Sequence, residues 1–196
     1  MPGAISIAEA TTKLNMEEYL QEGEISARYE IIDGVRIFMP SPTRRHQRIV
    51  ANVNDILRQF ERAYSLGKAY IAPCDVLIGR VPMNVRQPDA LFISSARLES
   101  NEAEASAGAL SPAPEIIVEV LSSSDRPTVL YGKLADYALV NVEEAWIISP
   151  EDETVELLRR NDREVFVPHG VFSREETLNS LVFPVLNFPV ADLFRD

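Results

Sequence analysis

The chain has 196 residues, of which 46% are apolar and 25% are charged, values typical of one globular domain and unlike those of disordered or fibrous chains. No apolar run reaches the roughly 18 residues that a membrane helix requires, and no signal peptide is evident at the N-terminus. The only cysteine, Cys74, excludes an intrachain disulfide and a multi-cysteine zinc site, so we expect a reducing cytoplasm. The net charge of −11 argues against non-specific adhesion to nucleic acid.

The N-terminal half predicts a frayed segment at 1–12 and a short helix at 15–20. A β-hairpin at 28–39 and a long helix at 44–66 are predicted to follow. Asn15 can cap the short helix, and Asp33-Gly34 between two β-rich runs is a strong hairpin signal. Thr43 can cap the long helix, and Gly67 is expected to close it.

The rest of the chain predicts strands at 69–72, 75–78, 89–93, 115–121 and 145–148, a surface excursion at 97–114, a helix at 128–140 and a C-terminal hairpin at 154–158 and 164–167. The nearly continuous apolar run at 115–121 is typical of a strand covered on both faces. The strand–helix–strand order that follows implies a right-handed crossover and parallel pairing. We therefore expect one α/β domain over 1–196, with a mixed β-sheet flanked by helices.

Two acids conflict with the pattern around them. Glu119 interrupts the apolar strand, where an unpaired carboxylate would cost several kcal/mol, so it needs a partner. Asp89 follows Pro88 at the start of a strand, where turn chemistry is the alternative explanation. Two such acids could form a glycosidase pair or hold a hard metal ion for phosphodiester hydrolysis. The latter also requires a cation, and Lys133 on the following helix is the candidate, although taken alone it is more simply explained as an ordinary solvated lysine.

An ordered set of segments along nearly the whole chain resembles the Uma2 family, also called DUF820. The segments are Tyr29-Glu30-Ile31-Ile32-Asp33-Gly34, Met39-Pro40-Ser41-Pro42, Arg45-His46-Gln47-Arg48, Ala72-Pro73-Cys74-Asp75, Gln87-Pro88-Asp89, Val118-Glu119-Val120-Leu121-Ser122, Lys133-Leu134-Ala135-Asp136-Tyr137, Glu144-Ala145-Trp146 and Leu181-Val182-Phe183-Pro184. Each segment is weakly diagnostic alone, whereas the ordered set is specific.

The resemblance implies a restriction-endonuclease-like core of the PD-(D/E)xK superfamily. Asp89 then corresponds to the PD aspartate and Glu119 to the acid of the (D/E)xK strand. The usual lysine position is Leu121, and the lysine is displaced to Lys133. Glu30 and Asp75 match further acids of the family, with a hairpin face and strand-start turn chemistry as their respective alternatives. They could complete a metal shell.

The expected function is Mg²⁺- or Mn²⁺-dependent DNA cleavage, in which Asp89 and Glu119 bind the metal and Lys133 acts on the attacking water. Arg45 and His46, at the start of a helix, are candidate phosphate contacts, with a solvated helix face as the alternative for both. The rival interpretation is an inactive nuclease fold with a binding or regulatory role, which the net charge favours modestly. A glycosidase fits poorly because the only tryptophan, Trp146, lies in a strand that reads as buried. A homodimer is expected, since duplex cleavage must address both strands.

Overall fold

The computed structural model describes residues 13–23, 25–100, 110–111, 113–122 and 126–195, so the segment predicted to fray and most of the excursion lie outside them. The helices are α1 (Met16–Gln21), α2 (Arg44–Tyr64), α3 (Ser95–Ser100) and α4 (Pro127–Leu139), followed by a C-terminal 3₁₀-helix (Val190–Phe194). Among the described residues, none of the helices combines the length and apolar character that a membrane crossing requires.

The strands are shared between two larger sheets and one two-stranded ribbon. They are β1 (Tyr29–Ile32), β2 (Val35–Phe38), β3 (Gly67–Ile71), β4 (Asp75–Arg80), β5 (Met83–Arg86), β6 (Ala90–Ser94), β7 (Leu110–Ser111), β8 (Ile116–Val120), β9 (Glu144–Ser149), β10 (Thr154–Arg160), β11 (Phe166–Phe172), β12 (Thr177–Asn179) and β13 (Asn187–Pro189). The mixed α/β class predicted from the sequence is confirmed.

The central sheet has six strands in the order β11-β10-β9-β8-β6-β3. Strands β8 and β9 run parallel and are joined through α4, as the strand–helix–strand pattern predicted. The other neighbours in this sheet are antiparallel, including β6 with β8 and the C-terminal hairpin β10–β11. The sheet is therefore mixed, with one crossover connection at its centre.

Strand β8 is covered on both faces, as its apolar sequence predicted. Alternate side chains, Ile116 and Val118, pack toward α2, whose apolar stripe includes Ile49 and Leu57. Ile117 belongs to the cluster on the opposite face, which contains Leu134 and Tyr137 of α4. The same alternation directs Glu119 toward α4.

The second sheet carries the predicted N-terminal hairpin. Its order is β2-β1-β5-β4-β7, and Ile31 of β1 pairs with Val85 of β5. Strand β5 was not predicted from the sequence. Asp33 and Gly34 at the hairpin turn both have positive φ, 51° and 78°, which explains why Asp-Gly is found there. This sheet brings β1 and β5 beside α4 and the central sheet.

Helix α2 begins as predicted but ends differently. Thr43 caps its N-terminus by accepting a hydrogen bond from the His46 amide at 3.2 Å. The predicted closure at Gly67 is wrong, because Ser65 adopts the left-handed conformation that ends the helix and Gly67 already begins β3. A Cβ on Gly67 would lie 2.1 Å from the Ile93 carbonyl oxygen, so this glycine permits a close strand approach instead.

Candidate active site

Two buried carboxylates lie across neighbouring strands near the middle of the central sheet. In the antiparallel pair β6–β8, Ala90 lies opposite Val118, and continuing that register by one residue places Asp89 opposite Glu119. Asp89 is 2% exposed and Glu119 is 6% exposed. Ionised carboxylates are stable at such depth only when other groups compensate their charge.

Asp89 is held by three donors. Its Oδ1 lies 2.7 Å from Nη1 of Arg28, and its Oδ2 lies 3.3 Å from Nε2 of His46. The Val120 amide on β8 donates to the same Oδ2 at 2.7 Å. Burial alone would raise the pKa of Asp89, but the hydrogen bond from His46 and the charge of Arg28 hold this pKa below its usual value. Asp89 is therefore an anion at neutral pH.

Glu119 faces helix α4 and is held by two of its side chains. Lys133 Nζ lies 3.0 Å from Oε2 of Glu119, and the hydroxyl of Tyr137 donates to Oε1 at 2.7 Å. Burial raises the pKa of Glu119 and the nearby charge of Asp89 adds to this rise, while Lys133 opposes it. The two acids thus have pKa values shifted in opposite directions by their surroundings.

Lys133 is a buried cation with carboxylates on two sides. It is 8% exposed, and besides Glu119 it pairs with Oε1 of Glu30 at 3.0 Å. Burial alone would lower the pKa of Lys133, but the two carboxylates raise it above its usual value. The structure therefore places Lys133 among the predicted acids and not on a solvated helix face.

Glu30 joins the site through cations. This residue is 4% exposed and lies on β1 of the hairpin. Its second oxygen, Oε2, accepts from Nη1 of Arg86 at 2.6 Å, and Arg86 also pairs with Asp136 of α4. The hairpin, β5 and α4 are thus linked through one chain of charges.

Asp75 lies in a different group of side chains. Its oxygens accept hydrogen bonds from the hydroxyls of Tyr19 and Tyr29 and from Gln87 Nε2. Burial and this carboxylate together raise the pKa of Tyr29 to about 12. Gln87 is two residues from Asp89, and its Oε1 accepts from the Tyr29 amide, so the Asp75 group ties α1 and the hairpin to the segment before β6.

The two candidate phosphate contacts lie in different environments. His46 is 7% exposed and lies against Asp89, so it belongs to the interior of the site. The Arg45 side chain is 55% exposed and pairs with Glu153 at 3.2 Å on the surface. Only Arg45 is therefore open to a large ligand without rearrangement.

Two cavities flank the carboxylates. A small one of about 20 Å³ is lined by Glu119, Leu121, Leu130 and Lys133, among others. That volume exceeds the roughly 10–15 Å³ needed for one water molecule. A larger cavity of about 190 Å³ lies on the other side and is lined by the polar groups of Ser26, Arg28, His46, Gln47 and Asp89 together with apolar walls. It opens beside the first turn of α2.

The donor set suits a hard divalent ion better than a zinc-type site. The described residues contain no group of three or more His, Cys, Asp or Glu side chains placed to hold a metal ion. Mg²⁺, however, is usually held by one or two carboxylates and completes its shell with water and substrate phosphate. Asp89 and Glu119 on adjacent strands fit that pattern, since both are oxygen donors with charge.

Sequence reasoning missed three residues that contact these acids: Arg28, Arg86 and Tyr137. Tyr137 follows Lys133 by four positions, so the helical period alone placed it on the same face of α4. Arg28 is the first residue of the predicted hairpin strand and carried no further signal. Arg86 lies in β5, and without that strand its position beside Glu30 could not be anticipated.

The fold is shared with a solved nuclease-like protein. A crystal structure of a "putative nuclease belonging to DUF820" from Anabaena variabilis matches with a TM-score of 0.73, covering 92% of this chain and 97% of that chain at 20% sequence identity. At this identity the similarity establishes the fold. The sequence establishes the family: the Uma2 family, described as "Putative restriction endonuclease", matches residues 16–191, and the chain belongs to it. No curated protein matches the chain.

Proposed function

We propose that this protein is a Mg²⁺- or Mn²⁺-dependent endonuclease that hydrolyses phosphodiester bonds in DNA and works in the cytoplasm. Membership of the Uma2 family and the nuclease neighbour support a nuclease role. The observation that carries the finer proposal is the buried pair Asp89 and Glu119 with Lys133 directly against it. These are the groups that metal-assisted phosphodiester hydrolysis requires: two oxygen donors and a cation.

Asp89 and Glu119 are the proposed metal ligands. When bound, the ion supplies Lewis-acid activation and offsets the negative charge that develops on the phosphoryl oxygens. The chain itself holds both carboxylates at neighbouring ends of β6 and β8 and keeps Asp89 ionised through Arg28 and His46. Each acid is paired with a cationic side chain of the protein. On binding the metal, each carboxylate would either leave that side chain or contact both the side chain and the metal ion.

Lys133 is proposed to act on the water side of the site. The small cavity that it lines with Glu119 has room for one water molecule and offers polar partners from both side chains. An ammonium there is a compact point charge that can orient the attacking water and stabilise the developing negative charge. Burial among carboxylates keeps the amine protonated, because its pKa is raised.

The larger cavity is the proposed entry of the substrate phosphate. Arg28 presents a guanidinium there, which suits phosphate geometry. His46, which lies against Asp89, is proposed to contact the phosphate from inside the site. Arg45 is proposed to contact a neighbouring phosphate from the surface. We propose that the phosphate binds between Arg28, which pairs with Asp89, and Lys133, which pairs with Glu119.

Metal titration tests the proposal without a known DNA target. We expect isothermal titration with Mn²⁺ to show binding to the wild-type protein and none to Asp89→Ala. The matched control is Asp75→Asn, which changes another buried carboxylate but one held by tyrosines and glutamine, and which should bind Mn²⁺ as the wild type does. Equal binding by wild type and Asp89→Ala would remove Asp89 as a ligand.

The rival function is an inactive nuclease fold with a binding or regulatory role. One observation favours it: each acid of the site is already paired with a cation of the chain, Asp89 with Arg28 and Glu119 with Lys133. If these ion pairs are permanent, the protein will bind no divalent ion. Absence of Mn²⁺ binding to the wild type at millimolar concentration would therefore favour the rival.

A further inference from the structure

Lys133 is shared evenly between two carboxylates. Its Nζ lies 3.0 Å from Glu119 Oε2 and 3.0 Å from Glu30 Oε1. All three side chains are buried, with exposures between 4% and 8%. The two acids come from different sheets, Glu119 from β8 and Glu30 from the hairpin strand β1.

Glu30 is itself fixed from behind. Its Oε2 accepts from Arg86 at 2.6 Å, and Arg86 donates through Nε to Asp136 Oδ2 at 2.8 Å. Asp136 follows Lys133 by three positions on α4, so the ion pairs close a ring that returns to the same helix. Within this ring Glu30 has a defined orientation, because one oxygen faces Arg86 and the other faces Lys133.

A lysine on a helix needs such an anchor. In the usual (D/E)xK arrangement the lysine follows the acid by two positions on the same strand. Because side chains alternate along a strand, both then project from the same face of the sheet and the backbone itself orients the lysine toward the acid. In this chain that position is Leu121, and the ammonium instead reaches the acid from α4 on a flexible four-carbon stem. If the proposed metal engages Glu119, that carboxylate can no longer hold Lys133 alone.

We propose that Glu30 is the positioning residue for Lys133 and is not a metal ligand. This inference rests on the proposed function, in which Lys133 acts on the attacking water. Both oxygens of Glu30 already face cations, so a metal ion there would be a third positive charge around one carboxylate. Glu30 instead keeps the ammonium in place when Glu119 turns to the metal.

The experiment compares Glu30→Gln with Asp136→Asn. Both variants remove a carboxylate partner of Arg86, but only the first removes a partner of Lys133. Two readouts need no DNA substrate: Mn²⁺ affinity by titration calorimetry, and the order of the Lys133 side-chain ammonium group by ¹⁵N relaxation. For Glu30→Gln we expect unchanged Mn²⁺ affinity and a mobile ammonium group. For Asp136→Asn we expect both to resemble the wild type.

A DNA that the wild type cuts adds a third readout. Glu30→Gln should then lower kcat by about 10²-fold, the effect of a misplaced group, with little change in KM. Should the single variant fail to fold, the double variant Glu30→Gln/Arg86→Gln removes one carboxylate and one guanidinium together and makes the same test.

The outcomes separate this inference from the proposed function. Loss of Mn²⁺ affinity in Glu30→Gln, equal to that in Asp89→Ala, would make Glu30 a ligand and overturn the inference. An ammonium group as ordered in Glu30→Gln as in the wild type would overturn it too. A wild type that binds no Mn²⁺ would contradict the proposed function, while the ammonium measurement would still decide whether Glu30 anchors Lys133.

Discussion

At the scale of single residues, Lys133 shows how a buried charge is stabilised. Desolvation disfavours an ammonium group, yet Glu119 and Glu30 more than offset it and raise the pKa of Lys133. Removing one partner of a buried ion pair typically costs about 3–5 kcal/mol, because the other charge is left uncompensated. Lys133 and its two carboxylate partners therefore stabilise one another's charges. The ammonium group also lies where the proposed chemistry needs a positive charge.

The variant Lys133→Met keeps the length of the aliphatic stem and removes the charge. We expect cleavage to fall by about 10²–10³, the effect of losing one electrostatic group in a transition state. At alkaline pH, where Glu119 is ionised, Mn²⁺ affinity should be equal to or higher than that of the wild type, because Glu119 is released from its ion pair. As the pH falls the variant should lose Mn²⁺ affinity sooner than the wild type, because the loss of Lys133 raises the pKa of Glu119 further. The measurement is single-turnover cleavage of a DNA that the wild type cuts, alongside calorimetry.

The control for this variant is Lys68→Met, which removes an exposed lysine paired with Glu61 outside the site. It should cut at the wild-type rate. If Lys133→Met also cuts at that rate, Lys133 has no catalytic role and another cation, such as Arg28, must take its place.

A site residue could be predicted from the sequence only where it differs in polarity from the residues next to it. Glu119 was recognisable because a carboxylate inside an apolar strand breaks the pattern of its neighbours. Arg28 and Arg86 gave no such signal, since arginines near strand ends are common on surfaces. Their partners, Asp89 and Glu30, are distant in sequence, so only the fold brings them together. Ion pairs between residues far apart in the chain leave no periodic pattern in the sequence, so they could not be predicted from it.

At the scale of elements, the start of α2 links helix stability to the site. Thr43 caps the helix by accepting from the amide of His46, whose ring lies against Asp89. We expect Thr43→Ala to lower the free energy of unfolding by about 1 kcal/mol, as for other lost N-caps. The measurement is urea denaturation followed by circular dichroism. Ser41→Ala, at an exposed position two residues earlier, is the control and should unfold as the wild type does.

An unchanged midpoint for Thr43→Ala would mean that packing alone defines the helix start. The apolar contacts of Ile49 and Val53 with the central sheet would then be sufficient.

The elements that were predicted well are those with a strong local pattern. Helix α2 has a cap and an apolar stripe, and the first hairpin has Asp33-Gly34. Strand β5 was missed because its four residues include Asn84 and Arg86, which read as loop residues. Its strand conformation depends on pairing with β1 and β4 on both sides. Tertiary context decides such short segments.

At the scale of the whole molecule, little of the net charge of −11 arises in the site. The acids Asp89, Glu119 and Glu30 are matched there by Arg28, Lys133 and Arg86, and Asp136, which shares Arg86 with Glu30, adds one unmatched carboxylate. Most of the excess of acid therefore lies elsewhere on the chain. The exposed first turns of α2 carry arginines beside the larger cavity, at 44, 45 and 48. A DNA strand that approaches from this side meets the basic part of an otherwise acidic protein.

The homodimer remains a prediction at this scale, and the structure narrows where its interface can lie. Two apolar residues near the C-terminus, Leu186 and Phe188, are 3% and 5% exposed and belong to the core, so they are not available to an interface. Exposed apolar side chains occur at several places, among them the edge strand β11 and the residue just before it, at Val165, Val167 and Val171. An exposed edge strand of this kind is one surface available to a two-fold contact.

We expect light scattering at tens of micromolar to give twice the chain mass at an ionic strength of about 0.15 M, where charges are screened beyond about 8 Å. At low salt the dimer should dissociate more readily, because two copies that each carry −11 repel one another. Raising the salt concentration should then increase the measured mass. If ion pairs held the two copies together, raising the salt concentration would instead lower the measured mass. A single-chain mass at both ionic strengths would exclude the dimer.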